Sequence, residues 1–216
     1  MRRWQVILII VSVLIILSIG GFFIYKALNT ENEDWLYGSG DEFFEEMIFN
    51  DVPKTHWASE YISYLSQREI MFASGDGYFY PDRYVTFEEF LETVLRVSLG
   101  KLDIDNLSGE GFIKVLEKNE VFKEGEIGIE KLSKILTKAE VAVVLAKVDM
   151  KIRNNSQKIA ILNYEDLDEL DEISKTLIGH SVERGFFELK ADDKFYPNTV
   201  ISRAELAEII YLFLNK

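Results

Sequence analysis

An internal repeat is the feature of this sequence that most constrains its fold. Residues 79–81 (FYP) and 85–89 (VTFEE) are matched 116 positions later by residues 195–197 (FYP) and 201–205 (ISRAE). Residues 136–140 (LTKAE) form a third copy, which keeps the register and lacks the proline. A unit of this size cannot bury its apolar side chains alone, so consecutive copies pack on one another. The sequence therefore predicts one body made of three similar units.

Equivalent positions further upstream extend the repeat. Glu69, Glu120 and Gly185 each lie 17 residues before the Thr or Ser of their copy. The offset is 51 residues between copies one and two and 65 between copies two and three, which indicates an inserted connection at residues 150–163. The predicted repeats are residues 48–98, residues 99–149, which are degenerate, and residues 164–216.

Each copy is predicted to form a helix, an irregular loop and a second helix, which gives an all-α, mainly helical fold. In copy three, Leu206, Ile209, Ile210 and Phe213 recur at the spacing of an amphipathic helix. The predicted first helices are residues 57–68, 110–118 and 172–183, and the predicted second helices are residues 87–98, 138–149 and 203–214.

The first segment of the chain has the length of a membrane span. Residues 4–25 contain no charge, and a helix of that length reaches about 33 Å, against about 30 Å for a bilayer core. Arg2 and Arg3 precede this run, so the positive-inside rule predicts a cytoplasmic N-terminus. A signal peptide cleaved near residues 18–20 (SIG) is the alternative, and both interpretations export the remainder of the chain. The predicted segments are an anchor at residues 1–26 and an acidic linker at residues 27–47.

Composition argues against several classes of protein. The chain has 24 Lys plus Arg against 37 Asp plus Glu, a formal charge of −13, whereas nucleic-acid binders need basic surfaces. It has no Cys, which excludes disulfides, thiolate zinc sites and Cys nucleophiles. His56 and His180 have no Ser or Cys partner in a recognisable motif, and a calcium loop from Asp103 would place Lys114 where a Glu is needed. We therefore expect neither an enzyme nor a metal or cofactor.

The start of each second helix combines a cap with a cation in two copies. Thr or Ser followed three residues later by Glu predicts a capping box in every copy. Arg203 and Lys138 directly follow the cap, where the helix dipole disfavours cations. A cation beside free backbone N–H groups predicts a site for a carboxylate or phosphate. An ordinary surface ion pair is the alternative.

These motifs resemble the S-layer homology domain. The resemblance rests on residues 49–52 (FNDV), residues 56–58 (HWA), the Phe-x-Pro turn and residues 201–205 (ISRAE). It covers about residues 48–214 and is carried in copy two mainly by spacing. The resemblance implies three units in a pseudo-threefold spindle, which binds anionic, often pyruvylated, secondary cell wall polymers in grooves between units.

The resemblance also implies which residues contact the polymer. The family's principal contact is an Arg at the position of Arg203, and Lys138 stands at the same position in copy two without the bidentate fork of an Arg. The capping residues Ser202 and Thr137 lie beside them. Phe87 departs from the pattern in copy one. Trp57 matches an aromatic position of the family, either for sugar stacking or for packing at the edge of the core.

We therefore expect a single-pass protein of the cell membrane whose exported module binds an anionic wall polysaccharide and so links membrane and wall. The alternative is a degenerate scaffold that uses its negative charge to bind a basic protein partner at the membrane surface. Crosslinking in intact cells would distinguish a discrete protein adduct from a polymer ladder.

Overall fold

The computed structural model describes residues 49–99, 104, 106–153, 164–187 and 194–216, and its regular secondary structure there is mainly six α-helices. The described residues lie within the compact unit Glu45–Lys216. They form isolated bridges and no sheet. The helices are α1 (Ser59–Gln67), α2 (Phe87–Leu99), α3 (Gly109–Lys118), α4 (Lys138–Ile152), α5 (Glu172–Glu183) and α6 (Arg203–Leu214).

The helix–loop–helix pattern predicted from the repeat is confirmed. Helices α1, α3 and α5 are the first helices of the three copies, and α2, α4 and α6 are the second. The predicted ends agree to within two residues, except that α4 continues to Ile152. Three residues that the sequence assigned to the inserted connection, 150–152, are therefore helical.

The predicted capping boxes are present at the start of every second helix. In α4 the Thr137 hydroxyl accepts from the Glu140 N–H, and the Glu140 carboxylate accepts from the Thr137 N–H at 3.0 Å. Ser202 and Glu205 make the same pair in α6. In α2, Thr86 and its Glu repeat the arrangement. Each cap satisfies N–H groups that the first helical turn would otherwise leave without partners.

Backbone hydrogen bonds join the three copies in a closed ring. The Val85 N–H donates to the Ile201 carbonyl at 3.0 Å, the Ile201 N–H to the Leu136 carbonyl at 3.1 Å, and the Leu136 N–H to the Val85 carbonyl at 3.0 Å. These residues occupy the same position in their copies, and all are buried. The repeat therefore organises the centre of the fold as well as the separate units.

Helix packing follows the same cyclic order. Helix α2 of copy one packs on α3 of copy two, α4 of copy two packs on α5 of copy three, and α6 of copy three packs on α1 of copy one. The apolar faces of the six helices meet in one core. The largest fully buried side chains include Phe79, Phe90, Phe186 and Phe195. No copy buries its apolar side chains without its neighbours, as the repeat predicted.

The Phe-Tyr-Pro turns are held by carboxylates that lie far away in the sequence. Asp51 accepts from the Phe79 N–H at 2.9 Å and from the Tyr80 N–H at 2.6 Å. Asp166 accepts in the same way from the two N–H groups of the second turn, residues 195–196. Each Tyr has a φ near +58°, a backbone conformation that a non-glycine residue rarely adopts. The paired hydrogen bonds from one carboxylate hold the turn in that conformation.

The predicted membrane anchor lies outside the described residues, because the structure describes nothing before residue 49. Within the described part of the chain, none of the helices has the length and hydropathy needed to cross a bilayer. Asp103, the start of the calcium loop that the sequence argues against, also lies outside that part.

Candidate ligand-binding grooves

Arg203, the principal predicted contact, lies between copies three and one. Only 8% of the residue is exposed. Its Nε–H donates to the Phe79 carbonyl at 2.8 Å, and Nη2 donates to the Phe72 carbonyl at 2.7 Å. The guanidinium also lies over the ring of Phe79, with 4.4 Å between Cζ and the ring centroid. Two N–H donors of Arg203, on Nε and Nη2, are therefore used within the protein.

Two charged side chains of copy one surround the guanidinium of Arg203. Glu89 Oε1 lies 3.6 Å from Arg203 Nη1. Arg83 donates to both oxygens of the same carboxylate, with 3.2 Å between Nη1 and Oε2. One carboxylate thus lies between two guanidinium groups. Arg203 thus pairs with an acid, as the alternative expected, but the guanidinium is buried and the pair is not an ordinary exposed surface ion pair.

The guanidinium groups shift the titration of the carboxylate between them. Partial burial raises the pKa of Glu89, since burial disfavours the charged form. Hydrogen bonds from Arg83 and from the Thr86 N–H, together with the charges of Arg83 and Arg203, lower it by more. The pKa of Glu89 therefore lies below its usual value. Burial is also the main cause that lowers the pKa of Arg203, although a guanidinium stays protonated in proteins.

A surface cleft of about 190 Å³ opens beside these charges, and we call it the Arg203 groove. Helix α2 and the loop after α1 form one side, and the start of α6 forms the other. The residues that matter to its chemistry are Ile70, Met71, Arg83, Glu89, Glu92 and Arg203.

A second cleft, of about 210 Å³, contains Lys138, and we call it the Lys138 groove. The Nζ of Lys138 lies 4.6 Å from the ring centroid of Phe195 and 5.6 Å from that of Phe187. Lys138 thus lies over the aromatic residue of copy three that is equivalent to Phe79 of copy one. The residues of this groove that matter to its chemistry are Lys138, Phe186, Phe187, Thr199, Glu205 and Glu208.

The two grooves are lined by equivalent positions of the repeat. Position by position, Ile70 is replaced by Phe186, Met71 by Phe187, Arg83 by Thr199, Glu89 by Glu205, Glu92 by Glu208 and Arg203 by Lys138. The carboxylates are kept, whereas both guanidinium groups are lost, one to a neutral Thr and one to a Lys. The charged side chains that line the Arg203 groove balance, whereas those of the Lys138 groove carry two negative charges against one positive.

The third equivalent position contains no cation. Phe87, at the start of α2, is 3% exposed and belongs to the hydrophobic core. Its N–H donates to the Lys134 carbonyl at 2.9 Å, just as the N–H groups of Arg203 and Lys138 donate to the carbonyls of Arg83 and Thr199. The departure at Phe87 noted in the sequence thus places an apolar ring where the other two copies place a charge.

The prediction of free N–H groups at these helix starts is wrong. The N–H groups of Arg203 and Ala204 donate to carbonyls of copy one at 2.9 Å, and those of Lys138 and Ala139 donate to carbonyls of copy three at 2.8 and 3.0 Å. The next N–H in each helix donates to the capping hydroxyl. Since the neighbouring copy satisfies the groups that an anion would need, only side chains can bind an anion here.

The remaining predicted contacts lie in different surroundings. The hydroxyls of Ser202 and Thr137 are engaged in the capping boxes. Trp57 is 56% exposed, so it does not pack at the edge of the core. Its ring stacks on His56, with 5.8 Å between centroids, and it lines neither of the two grooves.

The two histidines make contacts within the protein. His180 is buried and its Nε2 lies 2.7 Å from Asp149 Oδ2, and His56 Nδ1 accepts from the Ala58 N–H at 3.2 Å. No group of His and acidic residues among those described could coordinate a metal ion.

Arg83 is the groove residue that sequence reasoning missed. It lies between the proline turn and the cap, outside the motif that carries the resemblance. Its equivalents are Lys134 and Thr199, so a basic residue stands at this position in two of the three copies. Comparison of the copies at that position could have identified Arg83.

Comparison with known proteins gives matches along this part of the chain. Residues 48–91 and 181–207 match the S-layer homology domain. An amylopullulanase from Thermoanaerobacterium thermosulfurigenes is 24% identical over 185 residues, which are 81% of this chain and 10% of that protein. Exoglucanase XynX from Acetivibrio thermocellus is 22% identical over 183 residues, 80% of this chain and 17% of that protein. Outer membrane protein alpha from Thermotoga maritima is 47% identical over 57 residues, 26% of this chain and 14% of that protein.

The chain therefore spans only 10–17% of the length of these relatives. The matched segments contain the first Phe-Tyr-Pro turn with its cap and the cap that precedes Arg203. The matched residues include Arg203 and the groove residues of copy one named above, except Glu92. Residues 48–91 and 181–207 of this chain are therefore segments of the S-layer homology domain family.

Proposed function

We propose that this chain is a binding module of the cell envelope that holds an anionic secondary cell wall polymer in the grooves between its copies. The polymer of this family is often pyruvylated, so a carboxylate is the expected anionic group. The observation that carries the proposal is the Arg203 groove, an open cleft in which two guanidinium groups meet. Arg groups suit planar carboxylates because their N–H donors form a fork.

The cyclic packing of the helices supports the pseudo-threefold spindle that the family resemblance implies. In such a spindle each groove lies between two copies, so a long polymer could contact more than one groove. Arg203 and Lys138 are the proposed cations, with Ser202 and Thr137 holding the helix starts beside them. Trp57 is exposed and offers a stacking surface for a sugar ring outside the grooves.

The proposed location is the outer face of the cell membrane, with the module facing the wall. Residues 4–25 would cross the membrane as one helix and leave the N-terminus in the cytoplasm. The chain would then link membrane and wall directly.

We propose a binding role rather than an enzymatic one. Two of the similar proteins have the names of polysaccharide-degrading enzymes, and the match covers 10% and 17% of their length. Shared segments this short support a common binding module rather than a common active site.

Binding of the full-length protein to purified wall polymer, measured as salt is raised, tests the proposal. A guanidinium that binds a carboxylate at a solvent-exposed groove weakens with ionic strength, so we expect binding at low salt and loss at high salt. Arg203→Ala should weaken binding, with Lys54→Ala, far from this motif in the sequence and exposed, as the charge-matched control. Equal binding by wild type and Arg203→Ala would exclude the groove as the binding site.

The second candidate is a protein-interaction scaffold, favoured by large apolar side chains on the surface. Trp57 and Ile173 occupy equivalent positions and are 56% and 72% exposed. The excess of carboxylates in the Lys138 groove would suit a basic partner. Crosslinking in intact cells would then yield one discrete protein adduct.

A further inference from the structure

The groove cation that the sequence motif singles out is poorly placed to contact a ligand. Arg203 is almost fully buried, and two carbonyls and a carboxylate of copy one already surround its guanidinium. The carbonyls it satisfies belong to Phe72 and Phe79, on either side of the loop that forms the groove wall. Arg203 therefore holds this loop in place. A ligand could bind it fully only if those hydrogen bonds were given up.

Arg83 has the properties that Arg203 lacks. It lines the same groove, and 43% of its side chain is exposed. Two of its N–H groups donate to Glu89. The structure shows no other partner for this side chain among the described residues. A guanidinium has five N–H donors, so the Nε edge of Arg83 is available to a second planar acceptor.

The carboxylates of the groove limit which anion fits beside Arg83. Glu89 lies between Arg83 and Arg203, and Glu92 is paired with Arg96, whose Nη2 lies 2.9 Å from Glu92 Oε1. A group with one negative charge can accept hydrogen bonds from the guanidinium of Arg83, and the charges of the residues that line the groove sum to zero. A doubly charged phosphate monoester would meet stronger repulsion from the two carboxylates. The lining thus favours a sugar carboxylate.

The Lys138 groove lacks this feature. Thr199 stands where Arg83 stands in the other groove. Glu205 accepts from Ser202 and has no guanidinium partner among the described residues. An anion in this groove would meet two carboxylates and one Lys. The repeat therefore supplies one groove suited to an anion and one better suited to a neutral sugar.

We propose that Arg83 makes the direct contact to a sugar carboxylate in the Arg203 groove, that Arg203 positions the loop that forms it, and that the Lys138 groove binds neutral sugar units. This inference rests on the proposed binding of a wall polymer. Beyond that function, it names Arg83 as the residue that contacts the anion, assigns anion binding to one groove, and identifies the anion as a sugar carboxylate.

The test measures binding of the full-length protein to two kinds of sacculi from the source cells. One kind is native, and in the other the carboxyl groups have been reduced to alcohols. The affinity of wild type for native sacculi should exceed that for reduced sacculi by about tenfold or more. This is the difference expected from one charge-assisted hydrogen bond. Arg83→Gln should lose that preference. Lys134→Gln, the same charge change at the equivalent position beside Phe87, should keep it.

Two further variants separate contact from positioning. Thr199→Arg installs the missing guanidinium in the Lys138 groove and should increase the amount of native sacculi bound, without an increase for reduced sacculi. Arg83→Lys keeps the charge without the fork and should retain part of the preference. Thermal melts should show Arg83→Gln within about 2 °C of wild type, as expected for an exposed ion pair.

The outcomes distinguish this inference from the function on which it rests. If wild type prefers native sacculi and Arg83→Gln keeps the preference, the assignment of Arg83 is wrong while the proposed function stands. If wild type binds both kinds of sacculi equally, the carboxylate is not the recognised group and the inference fails. If wild type binds neither, the proposed function fails with it.

Discussion

The guanidinium of Arg203 lies over the ring of Phe79, and its Nε–H donates to the Phe79 carbonyl at 2.8 Å. These residues are 124 positions apart and join the last helix to the first copy. Lys138 repeats the ring contact with Phe195, at 4.6 Å from its centroid. Each cation therefore contacts the neighbouring copy as well as lining the groove.

Arg203→Ala should destabilise the fold as well as weaken binding. It leaves the Phe72 and Phe79 carbonyls without their donor and removes a buried side chain, so we expect a loss of about 2–4 kcal/mol in the free energy of unfolding. Lys138→Ala should cost about 1 kcal/mol, the scale of a cation–π contact. Denaturant unfolding of both variants checks this. Equal losses would contradict the structural role assigned to Arg203.

Glu69→Gly should stabilise the protein. Glu69, Glu120 and Gly185 occupy equivalent positions and all have positive φ, at 58°, 58° and 72°. Only glycine adopts this conformation without strain, which costs other residues about 1–2 kcal/mol. After the greater flexibility of unfolded glycine is subtracted, we expect a gain of about 0.5–1 kcal/mol in the free energy of unfolding.

The reciprocal variant, Gly185→Ala, is the control for that prediction. It introduces the strain at the equivalent position and should lower the melting temperature. A melting temperature that falls in Glu69→Gly or rises in Gly185→Ala would show that local strain does not govern this turn.

The stabilising effect of Glu89 should depend on pH. Because its pKa in the folded protein lies below the ordinary value of 4.5, folding favours the ionised carboxylate. The contribution is full above about pH 4.5 and is lost as pH falls through the folded pKa. We expect Glu89→Gln to cost about 1–2 kcal/mol at neutral pH, with the difference from wild type shrinking in acid.

Glu140→Gln is the matched control for Glu89, since it changes the same cap in a helix without a paired guanidinium. It changes the carboxylate of that cap and leaves the contacts of Glu89 unchanged. Denaturant unfolding between about pH 3 and pH 7 compares Glu89→Gln with wild type and with this control. A difference for Glu89→Gln that stays constant with pH would contradict the role of Arg83 and Arg203.

Asp149→Ala should be the most destabilising of the single changes. Asp149 is fully buried on α4, with His180 Nε2 at 2.7 Å, Arg153 Nη1 at 3.0 Å and Arg184 Nε at 3.2 Å. Removal of one partner of such a group costs about 3–5 kcal/mol because the remaining charges lose their compensation. Denaturant unfolding measures the effect, and Asp149→Asn should recover part of it by keeping the shape and one acceptor oxygen.

The helices could be predicted well from the sequence because the capping residues that start them lie within each copy. The Thr86, Thr137 and Ser202 caps with their Glu partners set the start of each second helix. The end of α4 was missed because it depends on a distant contact. Arg153 caps the helix and its Nη2 donates to the Phe213 carbonyl at 2.9 Å, 60 residues away.

The candidate site was only partly predictable for the same reason. Arg203 and Lys138 follow a visible motif, and both line grooves. The carbonyls that occupy the helix N–H groups come from neighbouring copies, so no local pattern could reveal them. Arg83 enters the groove only because copy three packs on copy one.

We propose that the module binds the wall through an anionic polymer. Sedimentation of the full-length protein with sacculi, before and after acid extraction of the anionic polymer, tests it most directly. We predict that the protein sediments with untreated sacculi and stays in solution with extracted ones. Equal sedimentation with both would contradict the claim.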